Sequence, residues 1–233
     1  MKIKVFYRDE MTVDGVESFS PSAGKPQKAV EAWLGKNLTI EVVAPRPVDL
    51  KDVCLAHCNE FVEKIHHCEV DNGFGTRDDR VSNAVLFTCG AMLEAARCAV
   101  EEGIVTCAPV SGFHHAGYDF AQYYCTYNGL MVAACKLNQL FDIRVGILDL
   151  DQHIGDGTED IISRINADFV SHHTQGGHRC HADMAGQFLH GLEQLIETKF
   201  ADCGIVLYQA GADPHIDDPL GGWLTTEQLA WRD

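Results

Sequence analysis

Ten cysteines are spread over 233 residues, yet no two stand in a C-x-x-C spacing. That absence argues against a zinc-finger or disulfide framework. Cys89, Cys98, Cys107, Cys135 and Cys203 sit in apolar surroundings, where a free thiol behaves as a small hydrophobe. Buried reduced thiols are therefore expected. Cys54 and Cys58 flank His57 at i, i+4 spacing on an expected helix. Basic residues are scarce: 18 Lys and Arg against 34 Asp and Glu give a net charge of −16. The chain thus lacks the basic footprint of nonspecific nucleic-acid binding; its charge reads first as a source of solubility and second as suited to a cationic ligand. No apolar run reaches the roughly 18 residues of a membrane span. The start, Met1-Lys2-Ile3-Lys4-Val5-Phe6-Tyr7, reads as a strand and lacks the apolar core and cleavage site of a signal peptide. A cytoplasmic protein without a membrane partner is expected. No repeat, low-complexity tract or linker divides the chain, so residues 1–233 are expected to form one domain.

What is present is an alternation. Short, apolar, β-branched runs occupy 2–7, 39–43, 105–109, 145–150, 167–172 and 204–209. Helical patterns fall between them at 26–34, 50–65, 81–102, 127–140, 158–165 and 184–198. Strands that alternate with helices predict βαβ units and a mainly parallel sheet covered on both faces. In such sheets chemistry gathers outside the carboxyl ends of the strands. Four expected strand ends are polar: Ser111 to Asp119, Asp149 to Gly157, Ser171 to His173, and Ala210 to His215.

The densest of these is Asp149-Leu150-Asp151-Gln152-His153-Ile154-Gly155-Asp156-Gly157. Buried charge at a strand end is costly unless a cation or partners compensate it. D-x-D-x-H spacing places three side chains on one face if the strand continues. A metal site is the first hypothesis.

Three motifs, taken together, resemble the zinc-dependent histone deacetylase superfamily, in its bacterial deacetylase-like and acetylpolyamine amidohydrolase branch. They are His114-His115-Ala116-Gly117-Tyr118-Asp119, Asp149 through Thr158, and Gly211-Ala212-Asp213 followed by Asp218-Pro219-Leu220-Gly221. The segment Ser20-Pro21-Ser22-Ala23-Gly24-Lys25-Pro26 is similar to the same branch. The resemblance implies an α/β, three-layer arginase/deacetylase-like fold with a mainly parallel central sheet.

It also implies a division of roles. Asp151, His153 and Asp213 would hold Zn2+, a ligand set hard enough to accept Fe2+ as well. His114 would pair with Asp149, and His115 with Asp156, each carboxylate fixing an imidazole tautomer. His115 would take a proton from water and return it to the leaving amine. Asp149, Asp151, His153, Ser171 and His172 would form a structural K+ site. Tyr124, Tyr123 and Phe74 would line the substrate channel. The implied substrate is an acylated amine: acetyl-lysine, an acetylpolyamine or a related amide. A small polyamine substrate would favour a homo-oligomer that narrows the entrance.

The chain departs from the family at three places. Tyr123 stands where glycine is usual, so its side chain would narrow the channel. Ile154 replaces a second histidine. No Gly-Gly-Gly-Tyr segment follows Asp218-Pro219-Leu220-Gly221 before Asp233, so the fold reads as lacking its C-terminal part and its oxyanion tyrosine. Two other readings remain. One is a catalytically impaired metal-binding or assembly protein on the same fold. The other is a binuclear manganese hydrolase of the arginase type, which would want Asp where Gly155 stands. His178, Cys180 and His181 lie close in sequence but read as a glycine-rich loop rather than a second zinc site. Loss of one oxyanion donor costs on the order of 10²–10³ in rate. The 233-residue chain with zinc is therefore expected to hydrolyse an acetyl-lysine peptide that much more slowly than a full-length relative. Comparable turnover would contradict the expectation.

Overall fold

The computed structural model describes residues 2–18, 20–178 and 180–233, so Met1 of the first expected strand lies outside the described residues. Two compact units form. The first comprises Met1–Asp142 and Asp156–Ala167, the second Ile143–Gly155 and Asp168–Asp233. Each contains a three-stranded sheet, and every strand pairing within these sheets is parallel, as the βαβ alternation predicts.

In the first unit β1 (Ile3–Phe6) lies between β2 (Ile40–Val43) and β3 (Thr106–Cys107). Its helices are α1 (Lys25–Gly35), α2 (Leu50–Val53), α3 (Asn59–His66), α4 (Asp79–Glu102), α5 (Gly129–Phe141) and α6 (Asp156–Arg164). Val5, Phe6 and Tyr7 pack with Met11, Val30, Ala91 and Ala95 into one apolar cluster. α4 starts where Asp78 accepts the Arg80 N–H and ends at Gly103, whose φ of 65° is readily adopted only by glycine. By length and composition alone α4 could cross a membrane, but it packs against β1, β3 and α5, and 44% of its most apolar stretch is buried.

In the second unit β4 (Val145–Asp149) lies between β5 (Val170–Thr174) and β6 (Ile205–Gln209), with α7 (Ala185–Lys199) and α8 (Thr226–Arg232). All five β4 residues are buried, which explains the apolar run at 145–148 and makes Asp149 at its end the costly exception. Leu148 and Leu150 pack with Leu189, Leu192 and Phe200.

Three elements differ from the sequence expectation. The helix expected over 50–65 breaks into α2 and α3. Its backbone leaves helical geometry so that Cys58 N–H can bond Tyr118 O at 2.8 Å, and Cys54 and Cys58 do not share a helix. β5 begins at Val170 rather than 167, because Asp168 and Phe169 still belong to a turn. α8 was not anticipated, although Thr225 and Gln228 form a reciprocal capping box.

His57 is the polar centre of the first unit. It is 1% exposed. Its Nδ1–H donates to Gly117 O at 2.8 Å, and its Nε2 accepts the Asn128 N–H at 2.9 Å. These partners fix the tautomer, and burial pushes the imidazole pKa down to about 4, against an opposing pull from the Gly117 carbonyl. The folded pKa thus lies below the ordinary 6.5, so on acidification the unfolded chain binds the proton first. The stabilisation is complete above pH 6.5 and is lost as pH falls toward 4. About 3 kcal/mol is at stake, from the size of that shift. Denaturant unfolding at stepped pH should show this loss in wild type and a shallower slope in His57→Gln. Equal slopes would remove His57 from the account.

Candidate metal centre and histidine pair

The first unit builds a histidine pair on the loop 113–118. Asn128 caps α5 by accepting the Met131 N–H at 3.1 Å, and its Nδ2 donates to Ala116 O at 3.1 Å and to Thr158 Oγ1 at 3.0 Å. Thr158 N–H in turn bonds His114 O at 3.0 Å. The first turn of α6 is thereby pressed onto the loop. A Cβ at Gly157 would lie 2.5 Å from the backbone of His115 and Ala116, so no larger residue fits. These hydrogen bonds tie the loop to the starts of α5 and α6 and restrict its conformation.

That restriction positions His115. Its Nδ1 lies 2.6 Å from Asp156 Oδ1, while Gln122 Nε2 donates to Asp156 Oδ2 at 2.9 Å. The carboxylate is held at both oxygens and the imidazole at Nδ1, so the proton sits at Nδ1 and Nε2 is the basic nitrogen. His114 is buried, with its ring centroid 4.1 Å from that of His115.

Tyr123 and Tyr124 form a two-residue turn. Gln122 and Cys125 exchange both backbone hydrogen bonds, at 3.1 and 2.9 Å, and the central residues have φ of 46° and 67°. Positive φ at both centres is the signature of a type I′ turn, normally made by Asn-Gly. Left-handed backbone costs a residue with a Cβ roughly 1–2 kcal/mol. Here Tyr124 N–H bonds Gly73 O at 2.7 Å and its ring packs 5.9 Å from Phe74. Tyr123 is 64% exposed and meets the His115 ring edge-on at 5.0 Å. Phe74 is buried, packed beneath the turn rather than standing free at a mouth.

The second unit gathers Asp151, His153 and Asp213. One potential ligand atom from each lies within 4.8 Å of the others. His153 Nδ1 stands 2.8 Å from Asp213 Oδ2 and 3.3 Å from Asp151 Oδ1. Two backbone bonds hold the carboxylates: His153 N–H to Asp151 Oδ1 at 2.9 Å, and Gln152 N–H to Asp213 Oδ1 at 3.1 Å. The electrostatics show what is wanted there. Burial, followed by the charge of Asp151, raises Asp213 to about 6. The hydrogen bond to Asp151 and the charges of both carboxylates raise His153 to about 9, against its own burial. A proton on His153 supplies the positive charge that a divalent cation would supply, so the donor set fits such an ion.

The other expected residues fall as follows. Asp149 is fully buried at the end of β4, and its Oδ1 accepts the Asp151 N–H at 3.2 Å. Ser171 and His172 lie inside β5, in register with Gly146 and Ile147, whereas Thr174 is opposite Asp149. Ser171 Oγ instead accepts a hydrogen bond from the Arg144 guanidinium at 3.3 Å. That register and that neighbouring cation do not fit a K+ ion shared by Asp149 and Ser171. The His178 ring stacks on His173 at 5.4 Å, and Cys180 Sγ lies 3.3 Å from His178 O. All ten cysteines are free. Burial pushes the thiols of Cys107 and Cys135 up to about 11 and about 12, so they are poor nucleophiles. His57, Asn128, Thr158 and Gln122 have no role in the sequence reading. Asn128-Gly129 ahead of an apolar run was a helix-cap signal, but nothing local marks His57 or Gln122.

A family model, the histone deacetylase domain, matches residues 22–180. Histone deacetylase 8 of Xenopus tropicalis is 28% identical over 166 residues, covering 64% of this chain and 44% of that protein. An uncharacterized protein of Picosynechococcus is 31% identical over 170 residues, covering 65% of this chain and 56% of its own. The acetoin utilization protein AcuC of Staphylococcus aureus is 27% identical over 133 residues, covering 51% of this chain and 34% of its own. The chain spans about half the length of the first two relatives.

Tyr123→Gly should relieve the left-handed strain. Glycine returns part of that gain through its greater unfolded-state entropy, leaving a net stabilisation of up to about 1 kcal/mol. A lower thermal midpoint in the variant would mean that the ring's contact with His115 outweighs the strain.

Proposed function

The chain belongs to the histone deacetylase family, and from that premise we propose a metal-dependent amidohydrolase that removes acetyl or a similar acyl group from an amine. The observation that carries this reading is the convergence of His153 Nδ1 on the carboxylates of Asp151 and Asp213. We assign those three residues to Zn2+, with Fe2+ as the other ion the donors suit. When bound, such an ion polarises the scissile carbonyl and acidifies water.

The protein's own residues then move the proton. His115 Nε2 accepts it from the attacking water, and Asp156 stabilises the imidazolium across the 2.6 Å hydrogen bond at Nδ1. As the C–N bond breaks, the same Nε2–H passes to the amine nitrogen, which leaves as a neutral amine while the acyl group departs as the acid. His114, buried against His115, restricts the ring to this orientation. Tyr123 and Tyr124 contribute an aromatic wall for an alkyl stem. A net charge of −16 favours amines that carry positive charge elsewhere, such as acetylated lysine or polyamines, in the cytoplasm.

Metal content and hydrolysis of an acetylated amine should be measured together. His115→Ala is expected to keep its zinc and lose on the order of 10²–10⁴ in rate. Asp213→Asn is expected to lose the metal. Unchanged hydrolysis by His115→Ala would sink the proton-transfer role, and two manganese ions per chain would point to a binuclear hydrolase instead.

A further inference from the structure

We propose that Arg232 is a positioning residue for the metal centre. Its guanidinium ties together the two chain segments that carry the ligands. The inference rests on the assignment of Asp151, His153 and Asp213 to a metal.

The geometry is specific. Arg232 Nη1 donates to Leu150 O at 3.1 Å and to Gly211 O at 2.7 Å. Leu150 immediately precedes Asp151, and Gly211 stands two residues before Asp213. One nitrogen therefore bridges the strand end after β4 and the turn after β6. The two segments touch at this point: a Cβ on Gly211 would lie 2.6 Å from both Asp151 Cα and Asp151 Oδ2. A shift of either segment would move one carboxylate relative to the other.

The rest of the guanidinium is held from behind. Its Nε and Nη2 both lie 2.8 Å from Asp233 Oδ1, which also accepts a hydrogen bond from Tyr208 OH. The guanidinium carbon is 5.9 Å from the centre of the Tyr208 ring. α8 delivers the side chain from a first turn fixed by its capping box, and Leu229 on the same helix packs against the Ala185, Trp223 and Leu224 cluster.

A guanidinium only 2% exposed is costly to bury unless every donor is engaged. A purely structural arginine could spend its donors anywhere. This one directs the face opposite Asp233 at two carbonyls, and both belong to ligand-bearing segments. Lysine keeps the charge but lacks the planar fork that serves Asp233 and both carbonyls at once.

The test is zinc affinity of the full chain, measured by competition with a chromogenic chelator, beside the unfolding midpoint of the metal-free protein. Residues that orient metal ligands typically contribute about 10- to 100-fold in affinity. Arg232→Lys and Arg232→Ala are expected to lose that much, with the metal-free midpoint of Arg232→Lys close to wild type. Added methylguanidinium should restore affinity to Arg232→Ala by refilling the space. Wild-type affinity in both variants, beside loss of zinc in Asp213→Asn, overturns the inference and leaves the metal site standing. A lowered midpoint in both variants, with no rescue by methylguanidinium, overturns it in favour of a packing role. Wild type that binds no zinc overturns the metal assignment and this inference with it.

Discussion

An imidazole buried between a carbonyl and an amide holds the first unit's chemistry in place. His57 accepts the N–H of Asn128 and donates to Gly117 O. Asn128 continues the network to Ala116 and Thr158, and Thr158 returns it to His114. Each member is satisfied only if the others are present, because an unpaired polar group in such a place costs about 1–3 kcal/mol. The loop that carries His114 and His115 therefore has one conformation. The accuracy of the His115–Asp156 pair follows from that constraint, since α6 supplies Asp156 from the helix end that Thr158 locks to the loop.

The second unit solves a different problem. Two carboxylates approach one another closely enough that burial and mutual repulsion raise Asp213 well above its ordinary range. Fixed backbone donors from Gln152 and His153 hold them there. Such a cluster is under electrostatic stress until a cation relieves it, and in its metal-free form the His153 proton does so. The forces that make this cluster costly to fold are the ones a bound cation would relieve. Arg232 Nη1 joins the segments that carry Asp151 and Asp213 by bonding the carbonyls of Leu150 and Gly211.

Much of this was legible in the sequence. The apolar run of β4 followed by D-x-D-x-H put carboxylates and an imidazole at a strand end, and the Gly-Ala-Asp motif marked the carboxylate that meets them. The helices capped by Asp78 and Asn128 were readable from their apolar periodicity, whereas α8 was missed although Thr225 and Gln228 carry a capping-box signal. What local pattern misjudged was competition. The residues around His57 have helical spacing, but the backbone breaks there because the loop at 117–118 offers better hydrogen bonds. Ser171 has the polarity of a strand-end ligand, yet the register of β5 on β4 sets it opposite Gly146 and puts Thr174 opposite Asp149. The Tyr123–Tyr124 turn adopts a backbone that neither residue prefers, and contacts of Tyr124 with Gly73 and Phe74 and of Tyr123 with His115 offset that cost.

By itself the sequence determined the parallel α/β architecture, the free state of the cysteines, and the identity of the acidic and imidazole groups. Those follow from periodicity, composition and residue type, which are properties of a chain segment taken alone. Tertiary structure decided which partner each group receives. Whether His57 is neutral, whether Gln122 reaches Asp156, and whether Arg232 spans Leu150 and Gly211 depend on segments dozens of residues apart meeting within hydrogen-bond distance. Hydrogen bonds are short and directional, so their pairing is set by the folded backbone and leaves almost no trace in local sequence.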